Sequence, residues 1–309
     1  MEYPPTFCLD LSLENKFLME QLFLTALDTL SSNPLNHEFG RTALLMASLV
    51  AAVCGFLSSY LTLKGWALMG DAVSHSVMPG VVVSYALNLP ISLGAFIFGV
   101  GSVALIGFVK QKSRVKEDTV IGLVFTGFFA LGIVLVSKVR SSIDLHSILF
   151  GSAIGISPTD VSQTVFISIL VILLLAAFRK DLMLYCFDPR HAKTVGINVT
   201  FLHYLLLTCT SLAAVVGLQS VGIILVVAML ITPGATAYLL TDKFDNMILI
   251  SVCSAIISSI TGIYASFWFD LVPGGSIVLA QTLIFLVTFL FAPRYGIFKF
   301  KKLFAGYKR

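Results

Sequence analysis

The chain has 309 residues, of which 57% are hydrophobic and 12% are charged, and its mean hydropathy is +0.96. Because a soluble domain carries about 25% charged residues, this composition excludes a protein whose surface mostly faces water. The net charge of +4 does not indicate nucleic-acid binding, since the cations are distributed among the turns between apolar runs. In lipid every backbone polar group must be satisfied within its own segment, so recurring apolar runs of about 20 residues predict membrane-spanning helices.

An acidic N-terminal segment, residues 1–38, precedes the first apolar run and carries no recognisable motif. Within it, residues 12–31 mix Leu and Phe with Glu, Lys and Asp, which indicates either an amphipathic helix at the membrane interface or a mobile tail. Residues 39–296 contain the apolar runs, and residues 297–309 form a basic tail. The sequence therefore predicts an all-α polytopic membrane bundle between two polar ends.

Eight to nine transmembrane helices are predicted within this bundle, separated where charges, glycines and prolines interrupt the apolar runs. The weakest separation is the four-residue stretch Gly217–Ser220, so one of the two spans beside it is interpreted as a broken or re-entrant piece. The predicted spans are 41–63, 66–88, 91–110, 119–138, 159–178, 199–216, 221–240, 246–268 and 276–292.

The Lys and Arg residues favour one side of the membrane. If the cluster Lys110–Lys116 faces the cytoplasm, alternation of the spans places sixteen of the twenty cations on that side. Because cytoplasmic loops of membrane proteins are enriched in Lys and Arg, we predict that the C-terminus is cytoplasmic. With nine spans, the acidic N-terminus then lies outside.

The second predicted span contains a carboxylate and an imidazole. Asp71 and His75 are four residues apart, so they lie on one helix face, and they follow Trp66 by about 7 and 13 Å along the axis. A carboxylate at that depth costs several kcal/mol unless it has a partner or faces water. Three interpretations stay open: a transient cation site, a structural pair in which Asp71 orients His75, and a proton relay.

As a cation site, this pair suits Mn²⁺, Fe²⁺ or Zn²⁺, because it offers oxygen and nitrogen and no thiolate. Two ligands bind weakly, as conduction requires, and two copies of the chain would supply four. Pro79 lacks an amide proton and leaves a carbonyl near residue 75 without its usual donor, so a kink is expected beside the pair.

A short helix outside the membrane is predicted over residues 188–196. Asp188 is a favoured N-cap, Pro189 suits the first helical position, and Gly196 suits the residue after the C-cap. Arg190, His191 and Ala192 lie between these signals. Because a lone two-turn helix is marginal in water, it rests either on the membrane surface or in a cytoplasmic partner.

Further candidates carry weaker signals. Gln219 and Ser220, between two apolar spans, form either an outer gate or a simple turn. Pro233 and Gly234 interrupt the next span as either a packing kink or a hinge. The five cysteines include no Cys-x-x-Cys pair, and four fall in or beside apolar spans, which favours small apolar residues over a disulfide or a thiolate metal site.

Four stretches together resemble the permease subunit of ABC-type importers for manganese, iron and zinc, over about residues 39 to 296. The manganese and iron branch is the most similar. The stretches are Leu63–His75, Glu117-Asp118 with Ile121-Gly122, Phe187–Ala192 with Gly196, and Thr232–Asp242.

The resemblance implies a fold, a site and partners. Asp71 and His75 would form the metal site of the pore, and the 188–196 helix would be the coupling helix that receives ATP-driven motion. A cytoplasmic ABC ATPase, an external metal-binding protein or lipoprotein, and a second permease subunit would be the partners. The protein would lie among the lipids of the inner membrane, with the metal as its transported substrate and no permanently bound cofactor.

The energy source follows from a missing motif. The sequence contains no Gly-Lys dipeptide and therefore no P-loop, so an importer built on this chain needs a separate ATPase and is not itself an enzyme. The alternative is a self-sufficient secondary carrier or channel for divalent metal. A carrier would be expected to hold more buried acids, whereas Asp71 is the only acid deep in any predicted span.

Overall fold

The computed structural model describes residues 38–138 and 158–292, and in these ranges the chain forms twelve α-helices and no strand. The remaining residues lie outside the described part, and so do the predictions of an interfacial N-terminal helix and a basic tail. The helices are α1 (Glu38–Lys64), α2 (Ala67–Ser76), α3 (Met78–Ala86), α4 (Ile91–Lys112), α5 (Glu117–Lys138), α6 (Pro158–Ala177), α7 (Arg179–Phe187), α8 (Pro189–Thr194), α9 (Val199–Val221), α10 (Ile223–Leu240), α11 (Phe244–Phe269) and α12 (Pro273–Phe291).

The prediction of an all-α membrane bundle is confirmed, and the predicted number of spans is approximate. Of the described helices, α1, α4, α5, α9, α11 and α12 are each long and apolar enough to cross a membrane. A seventh candidate is the pair α6 and α7, which bends by 70° between the two helices. The other two predicted spans correspond to shorter pieces: the pair α2 and α3, and α10, whose apolar part is Leu225–Leu240.

The break predicted at Gly217–Ser220 is in the wrong place. Helix α9 runs through Gln219 and Ser220 to Val221, and the chain turns at Gly222, whose φ of 93° is a backbone conformation that glycine adopts without strain. Gly217 lies within the helix and packs closely, because a Cβ there would overlap the side chain of Val226. The two glycines look alike in the sequence but have different roles.

Helix α7 has no counterpart among the predicted spans and turns. Arg179, Lys180 and Asp181 at its start interrupt the apolar pattern from which the spans are predicted. In the structure Leu182, Tyr185 and Cys186 are buried against the bundle, and this burial stabilises a nine-residue helix.

Helix α1 lies at the centre of the bundle. In its most apolar stretch 67% of the residues are buried, compared with 22% in α5 and in α12, which lie at the periphery. It packs against α10 and α11 along its length and also contacts α6 and α9. The segment α2–α3 packs on α4, α5 and α10, so the pair predicted as a cation site is held among three neighbouring helices.

The end of the bundle that carries α8 is here called the α8 end. Helices α1, α4 and α10 end there, and α2, α5, α9 and α11 begin there. Of the twelve Lys and Arg residues that the structure describes, only Arg41 and Lys138 lie at the opposite end. In the described ranges the cations are therefore concentrated at one end of the bundle, as the sequence predicts.

The proline in α10 does not interrupt its helix. Pro233 lies inside the continuous α10, and the buried side chain of Ser58 in α1 hydrogen-bonds to the α10 backbone on both sides of it. The Ser58 Oγ accepts a hydrogen bond from the Gly234 amide at 2.8 Å and donates one to the Ile231 carbonyl at 3.2 Å. This bridge ties α10 to the central helix at the proline.

Candidate metal site in the second membrane segment

Helix α2 begins at a fixed two-residue turn. Gly65 has a φ of 77°, and its amide donates to the Thr62 carbonyl, while the Trp66 amide donates to the Leu61 carbonyl at 2.8 Å. These two bonds form a Schellman motif that closes α1 and starts α2 at once. Trp66 is 3% exposed, so the base of α2 is anchored in the core.

Asp71 and His75 contact each other on one face of α2. The His75 Nε2 lies 3.3 Å from the Asp71 Oδ1, and 37% of the Asp71 side chain and 21% of the His75 side chain are exposed. Counted from Trp66, His75 lies about 13 Å along the helix, near the middle of a hydrocarbon layer about 30 Å thick. The predicted pair therefore exists, at a depth where lipid alone would not solvate a carboxylate.

Two phenylalanines of α5 enclose the imidazole. The rings of Phe125 and Phe129 each meet the His75 ring edge-on, with centroids 5.3 Å away, and they stack on each other at 6.0 Å. The His75 Nδ1 is buried and has no hydrogen-bond partner among the described residues. The rings hold the imidazole in place, with Nδ1 shielded on the inner side and Nε2 directed at Asp71.

The helix is broken directly after the pair, as the sequence predicts. Helix α2 ends at Ser76 and α3 starts at Met78, with Pro79 as its second residue. Ser76 fixes the broken end, because its Oγ lies 2.7 Å from the Ser102 Oγ of α4 and donates to the Val73 carbonyl. The kink is thus clamped to α4 by a buried hydroxyl pair.

A glycine contact holds α3 against α4 just beyond the kink. A Cβ on Gly80 would overlap the backbone carbonyl of Gly94, and a Cβ on Gly94 would overlap both Gly80 and the Ser84 hydroxyl. Only glycine permits this approach of two helices. Helix α2 is therefore anchored in the core at Trp66, and α3 is held against α4 beyond the break.

The pair supplies two ligand groups of different chemistry. No group of three or more His, Cys, Asp or Glu residues that could hold a metal ion occurs among the described residues. A carboxylate oxygen and an imidazole nitrogen favour divalent first-row ions such as Mn²⁺, Fe²⁺ and Zn²⁺. An ion held by two groups, with water or a second copy completing its shell, binds weakly enough to move on.

The predicted capping of α8 is confirmed. The Asp188 carboxylate accepts from the amides of Arg190 at 2.9 Å and His191 at 3.1 Å, Pro189 is the first helical residue, and Gly196 has a φ of 88°. The backbone hydrogen bond from His191, aided by the one from Arg190, holds the pKa of Asp188 below its usual range. The cap is therefore ionised at neutral pH.

Comparison with known proteins decides the family. The model of the ABC 3 transport family matches residues 36–292, which is most of the chain. The chain belongs to the ABC 3 transport family. The chain is similar to the manganese transport system membrane protein of Synechocystis, 51% identical over 85% of this chain and 86% of that protein. The chelated iron transport system membrane protein YfeD of Yersinia pestis is 44% identical over 87% of this chain and 90% of that protein.

A solved structure supports the same assignment. The structure of PsaBC from Streptococcus pneumoniae in complex with a Fab contains a chain with a TM-score of 0.76 and 40% identity, covering 84% of this chain and 94% of that one. The two chains therefore share a fold over most of their length. The sequence resemblance to metal-importer permeases is thereby confirmed.

Proposed function

We propose that this chain is the transmembrane subunit of an ATP-driven importer of divalent metal ions, with Mn²⁺ or Fe²⁺ as the favoured substrate and Zn²⁺ as the third candidate. The observation that carries the proposal is the Asp71–His75 pair at mid-membrane depth, on a helix broken directly after it. The manganese and iron systems named among the relatives support the choice of metal.

The pair supports transport better than it supports a permanent metal centre. Asp71 is the more exposed of the two groups and His75 lies against the aromatic rings of α5, so an ion would be contacted from one side. The second half of its coordination shell would come from water or from a second permease subunit. Metal would pass along this face between the two subunits, through the interface that they form.

The charge distribution supports an orientation. Ten of the twelve described cations lie at the α8 end, which favours a cytoplasmic location for that end and for the C-terminus, in the inner membrane. An external binding protein would then deliver metal at the opposite end, and a cytoplasmic ATPase would act on α8.

Helix α8 has the properties of a docking element. The side chain of Ala192 is buried against the bundle, while His191, Lys193 and Thr194 are exposed. The large apolar side chains of Phe187 and Val195, directly before and after it, are 78% and 60% exposed. Such exposed apolar side chains are more stable in a groove of a cytoplasmic protein than in water. We therefore assign residues 188–196 to contact with the ATPase.

Replacing Asp188 with alanine is expected to lower metal uptake about fivefold or more, because α8 loses the acceptor for two amides and docks less often in its helical form. Asp188→Asn is the matched control, since asparagine caps as well as aspartate, and it should retain near-normal uptake. The measurement is ATP-dependent Mn²⁺ uptake by the reconstituted complex. Equal uptake by the two variants would contradict the docking role of the capped helix.

The pH dependence of this cap has a definite sign. Because the pKa of Asp188 is lower in the folded protein, its stabilising contribution is complete above its ordinary value of 3.8 and is lost only as the pH falls through the lower folded value. The titration of Asp188 should therefore not change metal uptake near neutral pH.

The proposed function is tested by transport with defined components. The chain is reconstituted with its cognate ATPase and binding protein in proteoliposomes, and uptake of Mn²⁺ and Fe²⁺ is measured with and without ATP. Uptake that requires both ATP and the ATPase is the expected result. Uptake by the chain alone, driven by an ion gradient, would instead establish a secondary carrier, and the absence of uptake of any divalent metal would refute the proposal.

A further inference from the structure

Four side chains at the α8 end meet in one cluster, here called the α2-base junction. It consists of Lys64, Trp66, Tyr185 and His203. We infer that this junction transmits the displacement of α8 to α2, so that its residues are positioning residues that couple ATP hydrolysis to metal release. The inference rests on the proposed function, because it assumes that α8 receives the work of the ATPase.

The helices on either side of α8 are joined to it by short connections. Asp188 alone separates α7 from α8, and it is both the C-cap of α7 and the N-cap of α8. On the other side Gly196 and Ile197 close α8 in a Schellman motif, with amides donating to Lys193 and Ala192, and Asn198 caps α9. A displaced α8 must therefore move α7 and α9 with it.

A hydrogen bond ties α7 to α9 one turn away from α8. The Tyr185 hydroxyl and the His203 Nδ1 lie 2.9 Å apart, three residues before Asp188 and five after Asn198. Tyr185 is 3% exposed, so this bond is shielded from water on the tyrosine side. The bond closes α7, α8 and α9 into a single unit.

The turn that starts α2 rests on that unit. The Lys64 ammonium lies 4.1 Å from the centre of the Tyr185 ring and 5.8 Å from that of Trp66. The Trp66 ring in turn meets the His203 ring edge-on at 5.3 Å. A cation between two aromatic faces is a directional contact, so Lys64 holds α7 and the α1–α2 turn in a defined relation.

The junction leads directly to the metal pair. Trp66 precedes α2 without an intervening loop, and Asp71 and His75 follow it by one and a half and two and a half helical turns. A helix two to three turns long moves as a rigid piece, whereas the break after Ser76 separates it from α3. A tilt at the base of α2 would therefore move the two ligand groups while α3 stays held to α4 by its glycine contact.

The test measures coupling in the complete complex in proteoliposomes, with Mn²⁺ as the transported probe. Tyr185→Phe removes the hydroxyl bonded to His203 and keeps the ring under Lys64, while Lys64→Met removes the cation. Each is expected to raise the ATP hydrolysed per Mn²⁺ transported, on the order of fivefold for Lys64→Met. Mn²⁺ affinity measured without ATP should stay within about twofold of the unmodified complex, since neither residue touches the metal pair.

Two further variants make the result specific. Lys64→Arg keeps a cation over the rings and should restore the ratio to near that of the unmodified complex. Tyr264→Phe, on a tyrosine that pairs with Trp268 at the opposite end of the bundle, is the matched control and should leave the ratio unchanged.

The inference would be overturned by an unchanged ratio in both Tyr185→Phe and Lys64→Met, or by a loss of Mn²⁺ affinity as large as the loss of uptake. A failure of Lys64→Arg to improve on Lys64→Met would also overturn it, because the lysine would then act through something other than its charge. If the unmodified complex transports no metal, the proposed function itself fails, and that outcome is visible before any variant is compared.

Discussion

Asp71→Ala and His75→Ala are each expected to reduce Mn²⁺ uptake by about 100-fold or more, while the complex still assembles. Each change removes one of two ligand groups, and losses of 10- to 100-fold are typical even for residues that only support a metal ligand. Removing the carboxylate from mid-membrane should not destabilise the fold, because a charged side chain there costs about 2.5–3.5 kcal/mol on insertion scales. Uptake by the reconstituted complex and its melting temperature in detergent are the two measurements.

Ser74→Ala is the matched control for the metal pair. Ser74 lies between Asp71 and His75 on α2, is buried, and among the described residues donates to the Gly70 carbonyl of its own helix at 2.7 Å. Uptake by this variant should stay near normal. A purely structural Asp71–His75 pair would give the opposite pattern, in which both alanine variants lower the melting temperature or the yield of the complex and the surviving protein still transports.

Gly80→Ala is expected to have the second large effect. The added methyl group would overlap the backbone carbonyl of Gly94, which cannot rotate away as a side chain can, so α3 and α4 must separate. Overpacking of this kind costs about 1–3 kcal/mol or more. Because Gly80 lies five residues after His75, the separation should also displace the broken end of α2 and lower Mn²⁺ uptake by about tenfold or more.

The control for this change is Gly101→Ala in α4. A Cβ at Gly101 would meet nothing within 4 Å, and replacing an exposed helical glycine with alanine typically stabilises by about 0.5–1 kcal/mol. Thermal unfolding in detergent should therefore show a lower midpoint for Gly80→Ala and an equal or higher one for Gly101→Ala. Similar midpoints for both would show that the close approach of α3 and α4 is not required.

Local signals in the sequence identified the candidate site and its kink. Asp71 and His75 stand out because charged and polar groups are rare in an apolar span, and the position of Pro79 predicts the break in the helix. The caps of α8 were equally predictable, since Asp188 and Gly196 satisfy backbone groups in ways that few other residues do. Signals of this kind depend on neighbouring residues and need no tertiary information.

Features that depend on packing could not be predicted in the same way. Phe125 and Phe129 have the four-residue spacing of a helix face, but the chain has 25 phenylalanines, and nothing in the sequence shows which of them meet His75. The bridge from Ser58 to the proline of α10 joins residues more than 170 positions apart. Tertiary contacts of this kind also stabilise α7, because a nine-residue helix is marginal without packing.

The identity of the ligands is tested most directly by pulsed electron paramagnetic resonance of Mn²⁺ bound to the purified permease–ATPase complex. If His75 binds the metal, the spin-echo signal should show modulation from a directly bound ¹⁴N nucleus, and this modulation should disappear in His75→Ala. Asp71→Ala should weaken Mn²⁺ binding by about tenfold or more. Nitrogen modulation that persists unchanged in His75→Ala, or Mn²⁺ binding that is unaffected by both substitutions, would contradict the assignment of Asp71 and His75 as the transport site.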